Sequence, residues 1–456
     1  MNFTSVNPYT QKKIKSYPAL SGQSLNQKIK QADRAFTGWS ALSLEERLAY
    51  FRKVAVYLRQ EKQRYGALMT DEMGKTLKEA VAEVEKCAVG CDYYVEHAPR
   101  FLADLTIKTE AKKSFVAYEP LGVVLAVMPW NFPFWQVFRF AIPSLLAGNV
   151  GLLKHAANVS GCSLAIEEIF RACDFPTGTF QSLIIESKTV ETVLKDPRVK
   201  AVTLTGSEKA GMSVASIAGS QIKKSVLELG GSDALIVLAD ADLEKAAKTA
   251  VQSRMQNAGQ SCIAAKRFIV EKSVKKEFTE RVLNHIQAIQ QGDPTLENTT
   301  MGPVARVDLA EAIESQCAET VRQGARILHS GSGPAIRRDG CNVQPILLDK
   351  VKPGMTAFDQ ETFGPLAVIV EAKDEQDAVK LANQSNYGLG SALWTRDLER
   401  ADRLARQIQA GSVFVNSLMR SDPRVPFGGV KLSGFGRELA DVGMKEFLNI
   451  KTVWME

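Results

Sequence analysis

The sequence predicts an α/β protein with two doubly wound, Rossmann-like lobes and a small β extension. Short apolar runs alternate with helical stretches in two blocks, residues 121–229 and 230–432. Such alternation is typical of βαβ units around a parallel sheet. Residues 106–120 and 433–456 hold strand formers outside both blocks. We therefore expect a first lobe of residues 1–105 and 121–229, a second lobe of 230–432, and an extension built from the other two segments.

The hydrophobic pattern predicts the elements of each lobe in chain order. Apolar residues in the first hundred positions recur at spacings of three and four, which predicts helices at 24–36, 44–60 and 71–97. First-lobe strands are expected at 123–127, 150–154, 180–185 and 201–205, with helices at 160–173 and 190–195. Second-lobe strands are expected at 234–238, 267–270, 325–328, 366–370, 391–395 and 412–416. The segments 106–118 and 445–456 are predicted strands outside the lobes, and such strands often pair elsewhere.

The composition is that of a well-packed globular protein, with 456 residues, 45% of them hydrophobic and 24% charged. The formal net charge of +6 is too dilute for a nucleic-acid tract or a polybasic membrane patch, so we expect neither kind of partner. The longest apolar stretches, such as 121–130, are much shorter than the roughly 18–20 residues of a membrane span. The first residues lack the pattern of a secretory signal, so we expect a cytoplasmic protein.

The seven cysteines are odd in number and scattered, which argues against a disulfide framework and predicts reduced thiols. We expect no metal site, because the sequence has no CxxC or HExxH motif and its four histidines lie far apart. Cys87 and Cys91 are one helical turn apart and are expected to pack in a core.

Two segments that follow predicted strands carry groups suited to binding or catalysis. Asn131 lies between prolines and aromatics at 129–133, and its carboxamide could donate to a developing oxyanion. On its own, this residue would more often cap a turn. The Thr-Gly-Ser segment at 205–207 closes a strand and opens a helix, so free backbone N–H groups there could face a phosphate.

Two further segments combine a reactive side chain with glycines. Glu228 precedes Leu-Gly-Gly, which suits a carboxylate near a closely approached ligand. Cys262 follows a Gly-rich turn at a position compatible with a helix N-terminus, which would lower the pKa of its thiol. Taken singly, Glu228 would more often be a loop acid and Cys262 a buried cysteine.

The chain resembles the aldehyde dehydrogenase superfamily over essentially its whole length. The motifs that carry the resemblance are Pro-Trp-Asn-Phe-Pro at 129–133, Thr-Gly-Ser at 205–207, Glu-Leu-Gly-Gly at 228–231, Gly-Gln-Ser-Cys at 259–262, Glu-Thr-Phe-Gly-Pro at 361–365 and Pro-Phe-Gly-Gly-Val-Lys-Leu-Ser-Gly at 426–434. Segments 128–139, 154–158, 262–267 and 421–424 are similar to short bacterial succinate-semialdehyde dehydrogenases. The resemblance implies a cofactor-binding first lobe, a catalytic second lobe, and an extension that pairs subunits into homodimers or homotetramers.

The resemblance also implies an activity, the oxidation of succinate semialdehyde to succinate with NAD(P). Cys262 as thiolate would form a thiohemiacetal and then a thioester. The amide of Asn131 and the backbone N–H of Cys262 would hold the oxyanion, and Glu228 would deprotonate the hydrolytic water. The presence of Glu228 disfavours a CoA-acylating relative. The alternatives are a dehydrogenase of another short aliphatic aldehyde and, from a different class, a catalytically silent scaffold protein.

The family pattern assigns the cofactor contacts. It places Lys154 at the adenosine ribose or its phosphate, Glu361 at the nicotinamide ribose and Phe363 beside it. The other expected contacts are Trp130, His155, Ala156, Ala157, Gly206, Ser207 and Leu229. Many family members have an acid where this chain has Ala157, and that acid binds the 2′-hydroxyl and would repel a 2′-phosphate. We therefore expect NADP to be preferred, with NAD as the other candidate.

The segment that follows Asn131 lines the aldehyde tunnel in the superfamily. Arg139 in that segment could bind the far carboxylate of a dicarboxylic semialdehyde through two hydrogen bonds. The alternative for Arg139 is a surface ion pair on a helix. Trp135 would wall the tunnel, and Ser421 would add a hydroxyl donor.

Overall fold

An N-terminal hairpin, which periodicity does not predict, precedes the helices. The computed structural model describes residues 2–331 and 338–456, and in it β1 (Asn2–Val6) pairs antiparallel with β2 (Lys13–Pro18). Within these two described strands only Ser5 and Tyr17 are buried, so no apolar alternation signals them. Ser5 Oγ donates to Glu72 Oε1 at 2.6 Å and fastens the hairpin to the helices.

Three long helices follow, namely α1 (Gly22–Ala41), α2 (Leu44–Met73) and α3 (Leu77–Phe101). The helix expected at 71–97 therefore starts too early. Gly74 has a φ of 83°, in the left-handed region, and ends α2. Thr76 then starts α3, because its side chain accepts a hydrogen bond from the backbone N–H of Glu79.

The alternating elements begin after two strands of the extension. The extension strands are β3 (Leu105–Thr106) and β4 (Lys113–Pro120). The first lobe continues with β5 (Val123–Met128), α4 (Trp135–Leu146), β6 (Val150–His155), α5 (Ser160–Ala172), β7 (Phe180–Ser182), α6 (Val190–Lys195), β8 (Val199–Thr205), α7 (Glu208–Ser220) and β9 (Lys224–Glu228). The strand expected at 180–185 is shorter than predicted, the strands expected at 123–127, 150–154 and 201–205 are present at those positions, and β9 is not predicted from the sequence.

The second lobe has the same kind of alternation. Its elements are β10 (Asp233–Val237), α8 (Leu243–Met255), β11 (Ala265–Glu271), α9 (Lys275–Gln287), α10 (Val307–Arg322), β12 (Arg326–His329), β13 (Arg338–Asp339), β14 (Asn342–Val343), β15 (Ile346–Asp349), α11 (Thr356–Asp359), β16 (Leu366–Ala372), α12 (Glu375–Asn383), β17 (Tyr387–Gly388), β18 (Gly390–Trp394), α13 (Leu398–Ala405) and β19 (Ser412–Val415). The chain ends with β20 (Val430–Lys431), β21 (Gly434–Phe435), α14 (Ala440–Lys445) and β22 (Leu448–Met455).

Each lobe is built on one largely parallel sheet, which confirms the α/β prediction. The first sheet has the strand order β21-β9-β8-β5-β6-β7, in which β21 alone among its described strands runs antiparallel to its neighbour. The second sheet has the order β12-β15-β16-β11-β10-β18-β19, with β12 antiparallel to β15. Separate apolar cores cover the two sheets.

The extension is a separate sheet of order β22-β4-β3. The two segments expected in it pair with each other, because β22 runs antiparallel to β4 from Leu448 opposite Pro120 to Met455 opposite Lys113. The boundary expected at residue 433 differs from the structure. The strand β21 adds to the first-lobe sheet and α14 contacts α3 and α4, whereas β22 joins the extension sheet.

The seven cysteines are distributed over both lobes. All seven cysteines lie within the described residues, where none of them forms a disulfide bond, and Cys87 and Cys91 are in the first core. Over residues 2–331 and 338–456, no helix combines the length and apolarity needed to cross a membrane. In the same described part of the chain, no three His, Cys, Asp or Glu residues are grouped as they would be around a metal ion.

Candidate active site

The loop after β5 holds Asn131 in one orientation. Its Oδ1 accepts from Gln136 Nε2 at 3.1 Å, and its Nδ2 donates to the carbonyl of Gln260 at 3.0 Å. Asn257 Nδ2 also donates to the Asn131 carbonyl at 2.7 Å. Because Nδ2 carries two hydrogens, one remains for a ligand beside the loop that carries Cys262.

The loop before Cys262 is a tight 3₁₀ turn between α8 and β11. Asn257 and Ala258 have φ values of 54° and 53°, which L-residues rarely adopt. At Gly259 a Cβ atom would lie 2.2 Å from the carbonyl oxygen of Gly364, so glycine is required there. Arg254 Nη2 donates to the carbonyl of Gly259 at 2.7 Å and fixes the turn from below.

No helix starts at Cys262, which corrects the expectation of a helix N-terminus and a lowered thiol pKa. The chain passes from the turn directly into β11 at Ala265, because the residues that follow are strand-forming and buried. Burial raises the pKa of the Cys262 thiol to about 12, while Lys266 and Arg139 oppose this shift. A thiol with a pKa in this range is protonated at neutral pH.

Cys262 lines two cavities, which also share Gln136. The larger, of about 380 Å³, contains expected cofactor residues, namely Trp130, Gly206, Ser207, Leu229, Glu361 and Phe363. The smaller, of about 130 Å³, contains the expected substrate residues Trp135, Arg139 and Ser421. The structure thus brings most of the expected site residues to one thiol.

The buried carboxyl group of Glu228 ends β9. Within the described residues, neither of its oxygens has a hydrogen-bond partner. Burial, and secondly the nearby Glu438, raise its pKa well above the ordinary value, while Arg139 and Arg437 act in the opposite direction. Glu228 is only 2% exposed, so its carboxyl group is almost completely removed from water.

Arg139 forms an ion pair, but the pair is buried and not the surface pair of its alternative assignment. Its Nε pairs with the carboxylate of Glu438, and its guanidinium lies 4.6 Å from the centre of the Phe427 ring. Its Nη2 also donates to Thr205 Oγ1 at 3.4 Å. A substrate carboxylate at Arg139 would therefore share the guanidinium with Glu438, a partner that the sequence does not reveal.

Lys154 at the end of β6 and Ala157 just after it lie close together in the chain. The pKa of the buried Lys154 ammonium is lowered by burial, and in the described part of the chain it forms no ion pair. Ala157 is exposed at the start of a 3₁₀ turn. The Lys154 ammonium has no ion-pair partner among the described residues, and the small side chain of Ala157 leaves space near it. This arrangement is suited to binding a nucleotide phosphate.

His155 does not fit the expected cofactor contact. Its Nε2 lies 2.9 Å from the carbonyl of Pro133, and its Nδ1 accepts from the N–H of Ala156 at 2.9 Å. Burial lowers the pKa of this imidazole to about 4, so it is neutral and both nitrogens have protein partners. The side chain therefore fastens the loop around Asn131.

The larger cavity has the features of a nucleotide site. Ser207 caps α7 through its side chain, and the loop before it follows β8, so the helix N-terminus opens at the cavity. Glu361 Oε1 accepts from the N–H of Gly231 at 3.0 Å and lies 3.4 Å from Lys266 Nζ. Trp130 and Phe363 meet edge to face at 5.7 Å. These residues fit a dinucleotide.

Three residues near the thiol have no role in the sequence-based interpretation. Lys86 on α3 lines the smaller cavity. The one sequence feature that could have pointed to it is a lysine next to the apolar positions 84, 87 and 88. Glu438 lies four residues after the motif at 426–434. Lys266 donates to the carbonyl of Cys262 at 2.6 Å and follows the nucleophile motif by four residues.

Two α/β lobes that meet at a thiol, a carboxamide and a buried carboxyl group define an enzyme that works through a covalent cysteine intermediate. The chain belongs to the aldehyde dehydrogenase family, whose model matches residues 1–453.

Among similar proteins, a probable succinate-semialdehyde dehydrogenase [NADP(+)] of Synechocystis sp. is 50% identical, with all of both chains covered. The succinate semialdehyde dehydrogenase [NAD(P)+] Sad of Escherichia coli is 44% identical, with 99% of this chain and 97% of the relative covered. The solved structure of succinic semialdehyde dehydrogenase from Streptococcus pyogenes, in complex with NADP+, is 35% identical and superposes with a TM-score of 0.96 over 99% of both chains.

Proposed function

We propose that this protein oxidises succinate semialdehyde to succinate, with NADP+ as the preferred acceptor and NAD+ as the other candidate. The observation that carries the proposal is the position of Cys262, which lines both a nucleotide-sized cavity and a small cavity with basic side chains. The printed names of the Synechocystis, E. coli and S. pyogenes relatives support the same substrate and cofactor.

The first step is attack by Cys262 on the aldehyde carbon. The thiol first gives its proton to water, a step that its raised pKa opposes. The sulfur–carbon bond forms as the carbonyl π bond breaks, giving a thiohemiacetal oxyanion. The free Nδ2 hydrogen of Asn131 and the backbone N–H of Cys262 would stabilise that oxygen, and one such donor is typically worth about 3–4 kcal/mol.

The cofactor, when bound, accepts the hydride that the thiohemiacetal carbon releases. Lys154 would hold the phosphate on the adenosine ribose, the turn at Gly206 and Ser207 the pyrophosphate, and Glu361 the nicotinamide ribose. Trp130 and Phe363 would exclude water from the reacting face. The exposed Ala157 leaves room and no negative charge beside the phosphate, which supports NADP.

The last step is hydrolysis of the thioester on Cys262. Glu228 would take a proton from water, whose oxygen attacks the acyl carbon, and the carbon–sulfur bond then breaks to release succinate. A carboxylate whose pKa is raised by burial is a stronger base than an ordinary glutamate, which suits this proton transfer.

Initial rates on a panel of aldehydes test the proposal. Succinate semialdehyde should give the highest kcat/KM, with NADP+ above NAD+. The second candidate is a dehydrogenase of an uncharged short aldehyde. The ion pair of Arg139 with Glu438 favours this candidate, because it neutralises a charge that would otherwise attract a carboxylate. Butanal oxidised as well as succinate semialdehyde would support that candidate, and no reduction of either cofactor with any aldehyde would support a silent scaffold.

We also propose a homodimer or homotetramer in the cytoplasm that acts on a small-molecule aldehyde and has no nucleic-acid or membrane partner. The exposed apolar side chains on β22 support the oligomer, and the lack of a disulfide bond among the cysteines, all of which the structure describes, supports a reducing compartment.

A further inference from the structure

We propose that Lys86 on α3 is a substrate-binding cation, which holds the distal carboxylate of the substrate together with the hydroxyl of Ser421. This inference rests on the proposed oxidation of a dicarboxylic semialdehyde and names the residue that selects it.

Lys86 lies in the wall of the cavity that also contains Cys262. Its Nζ donates to Ser421 Oγ at 2.8 Å and lies 4.4 Å from the centre of the Trp135 ring. The ammonium therefore has a defined position, held by one hydrogen bond and one aromatic face. Two of its three N–H bonds remain for a ligand.

Ser421 completes a pair of donors. Its Oγ accepts from Lys86 Nζ and also from Trp135 Nε1, each at 2.8 Å. A hydroxyl oxygen accepts through two lone pairs, so both are in use and the O–H must point elsewhere. No protein acceptor for this hydroxyl is found within residues 2–331 and 338–456. Ammonium and hydroxyl together match the two oxygens of a carboxylate.

The charge of Lys86 is not balanced by the protein. Among the described side chains it has no ion pair, because the nearby carboxylates are engaged. Glu83 pairs with Lys75, and Asp422 pairs with Arg424 at 2.6 Å. Burial, and then the positive charge of Arg139, lower the pKa of Lys86 to about 8. An anion bound in the cavity would offset the cost of burying the Lys86 charge. The charge of Arg139 is already balanced by Glu438.

The position of Lys86 is rigid because α3 is locked to α4 one turn away. Glu83 Oε1 accepts from the backbone N–H groups of Phe134 and Trp135 at 2.8 and 2.9 Å, at the start of α4. This carboxylate caps α4 and holds the Trp135 ring beneath the ammonium. The contact between α3 and α4 therefore holds the ammonium in the wall of the cavity that also contains Cys262.

The test compares Lys86→Met with wild type on succinate semialdehyde and on butanal. Loss of a charge-assisted contact should lower kcat/KM for succinate semialdehyde roughly 10- to 100-fold more than for butanal. Lys86→Arg should restore most of the ratio. The exposed Lys78→Met on the same helix is the matched control and should leave both values unchanged.

A binding measurement that needs no turnover accompanies the kinetics. Succinate should raise the Tm of the wild type and of Lys78→Met, and the shift should be much smaller for Lys86→Met. An unchanged substrate ratio with an unchanged succinate shift would overturn the role of Lys86. If the wild type itself prefers butanal, the proposed function fails instead, so the two failures are distinguishable. If Lys86→Met does not fold, Lys86→Gln and Ser421→Ala replace it with the same expected direction.

Discussion

The guanidinium of Arg139 and the carboxylate of Glu438 form an ion pair in which both side chains are at most 5% exposed. Removing one partner of such a pair leaves the other charge buried and typically costs about 3–5 kcal/mol. Glu438 also lies close enough to Glu228 to raise its pKa. The pair therefore affects both stability and the hydrolytic base.

Arg139→Ala should lower Tm and reduce kcat/KM for succinate semialdehyde and for butanal alike. The reason is that the stranded Glu438 disturbs Glu228, which both substrates need. Thermal unfolding and the two kcat/KM values measure this, and adding Glu438→Gln should recover part of the lost Tm. A loss confined to succinate semialdehyde would mean that Arg139 acts as a carboxylate ligand alone.

Cys262→Ala and Glu228→Gln should fail at different steps. The first variant has no nucleophile and should produce no reduced cofactor. The second should form one thioester per active site and then stall, giving a burst about equal to the enzyme concentration. Rapid mixing with absorbance detection separates the two cases. Equal bursts from both variants would contradict the assigned roles.

Alkylation of Cys262 by iodoacetamide should be slow at neutral pH and should accelerate about tenfold per pH unit from pH 7 to 10. Only the thiolate reacts, and a thiol with a pKa of about 12 remains mostly protonated over that range. Mass spectrometry of the peptide that contains Cys262 gives the rate, and Cys262→Ala gives the background of the buried thiols. A rate that levels off near pH 8 to 9 would show that the pKa is not raised.

Ala157→Glu should shift the cofactor preference toward NAD+. A carboxylate at this exposed position can accept from the ribose 2′-hydroxyl and would repel a 2′-phosphate. The measured quantity is the ratio of kcat/KM for NADP+ to that for NAD+, with Ala157→Gln as the uncharged control. An equal change in both variants would assign the effect to size rather than charge.

Light scattering should give a mass at least twice the 49.9 kDa of one chain at micromolar concentration. The strand β22 lies at the edge of its sheet with Ile450 61% and Trp454 45% exposed, an arrangement that favours pairing with another copy. The double variant Ile450→Lys and Trp454→Lys should lower the mass. A monomer mass for the wild type would rule out the oligomer.

Local sequence predicts those parts of the molecule that local forces determine. The buried strands β5, β6 and β8 lie at the predicted positions because continuous apolar runs between turns have few other solutions. The motif at Asn131 likewise follows a strand as expected, whereas β9, which ends at Glu228, is not among the predicted strands. In contrast, the turn before Cys262 depends on Arg254 and on the loop at Gly364, so its exit into a strand has no local signal.

The residues that the sequence does not reveal act over long distances along the chain. Lys86 meets Ser421 across 335 positions, and Arg139 meets Glu438 from a different segment. A lysine beside apolar positions on a helix is equally compatible with an exposed or a buried ammonium, because long side chains can reach solvent. The packing of α3 against α4 decides whether the Lys86 ammonium is exposed or buried.

The sulfur of Cys262 is the meeting point of two cavities that have little else in common. A synthetic electrophile placed there would have room to grow in two chemically different directions, one toward an unbalanced ammonium and one toward aromatic rings. A short anionic arm and a flat aromatic arm on the same warhead would each be recognised before the sulfur reacts. A covalent probe for this enzyme can therefore gain selectivity from the binding of both arms. It need not rely on the reactivity of the Cys262 thiol, which the raised pKa of that thiol keeps low.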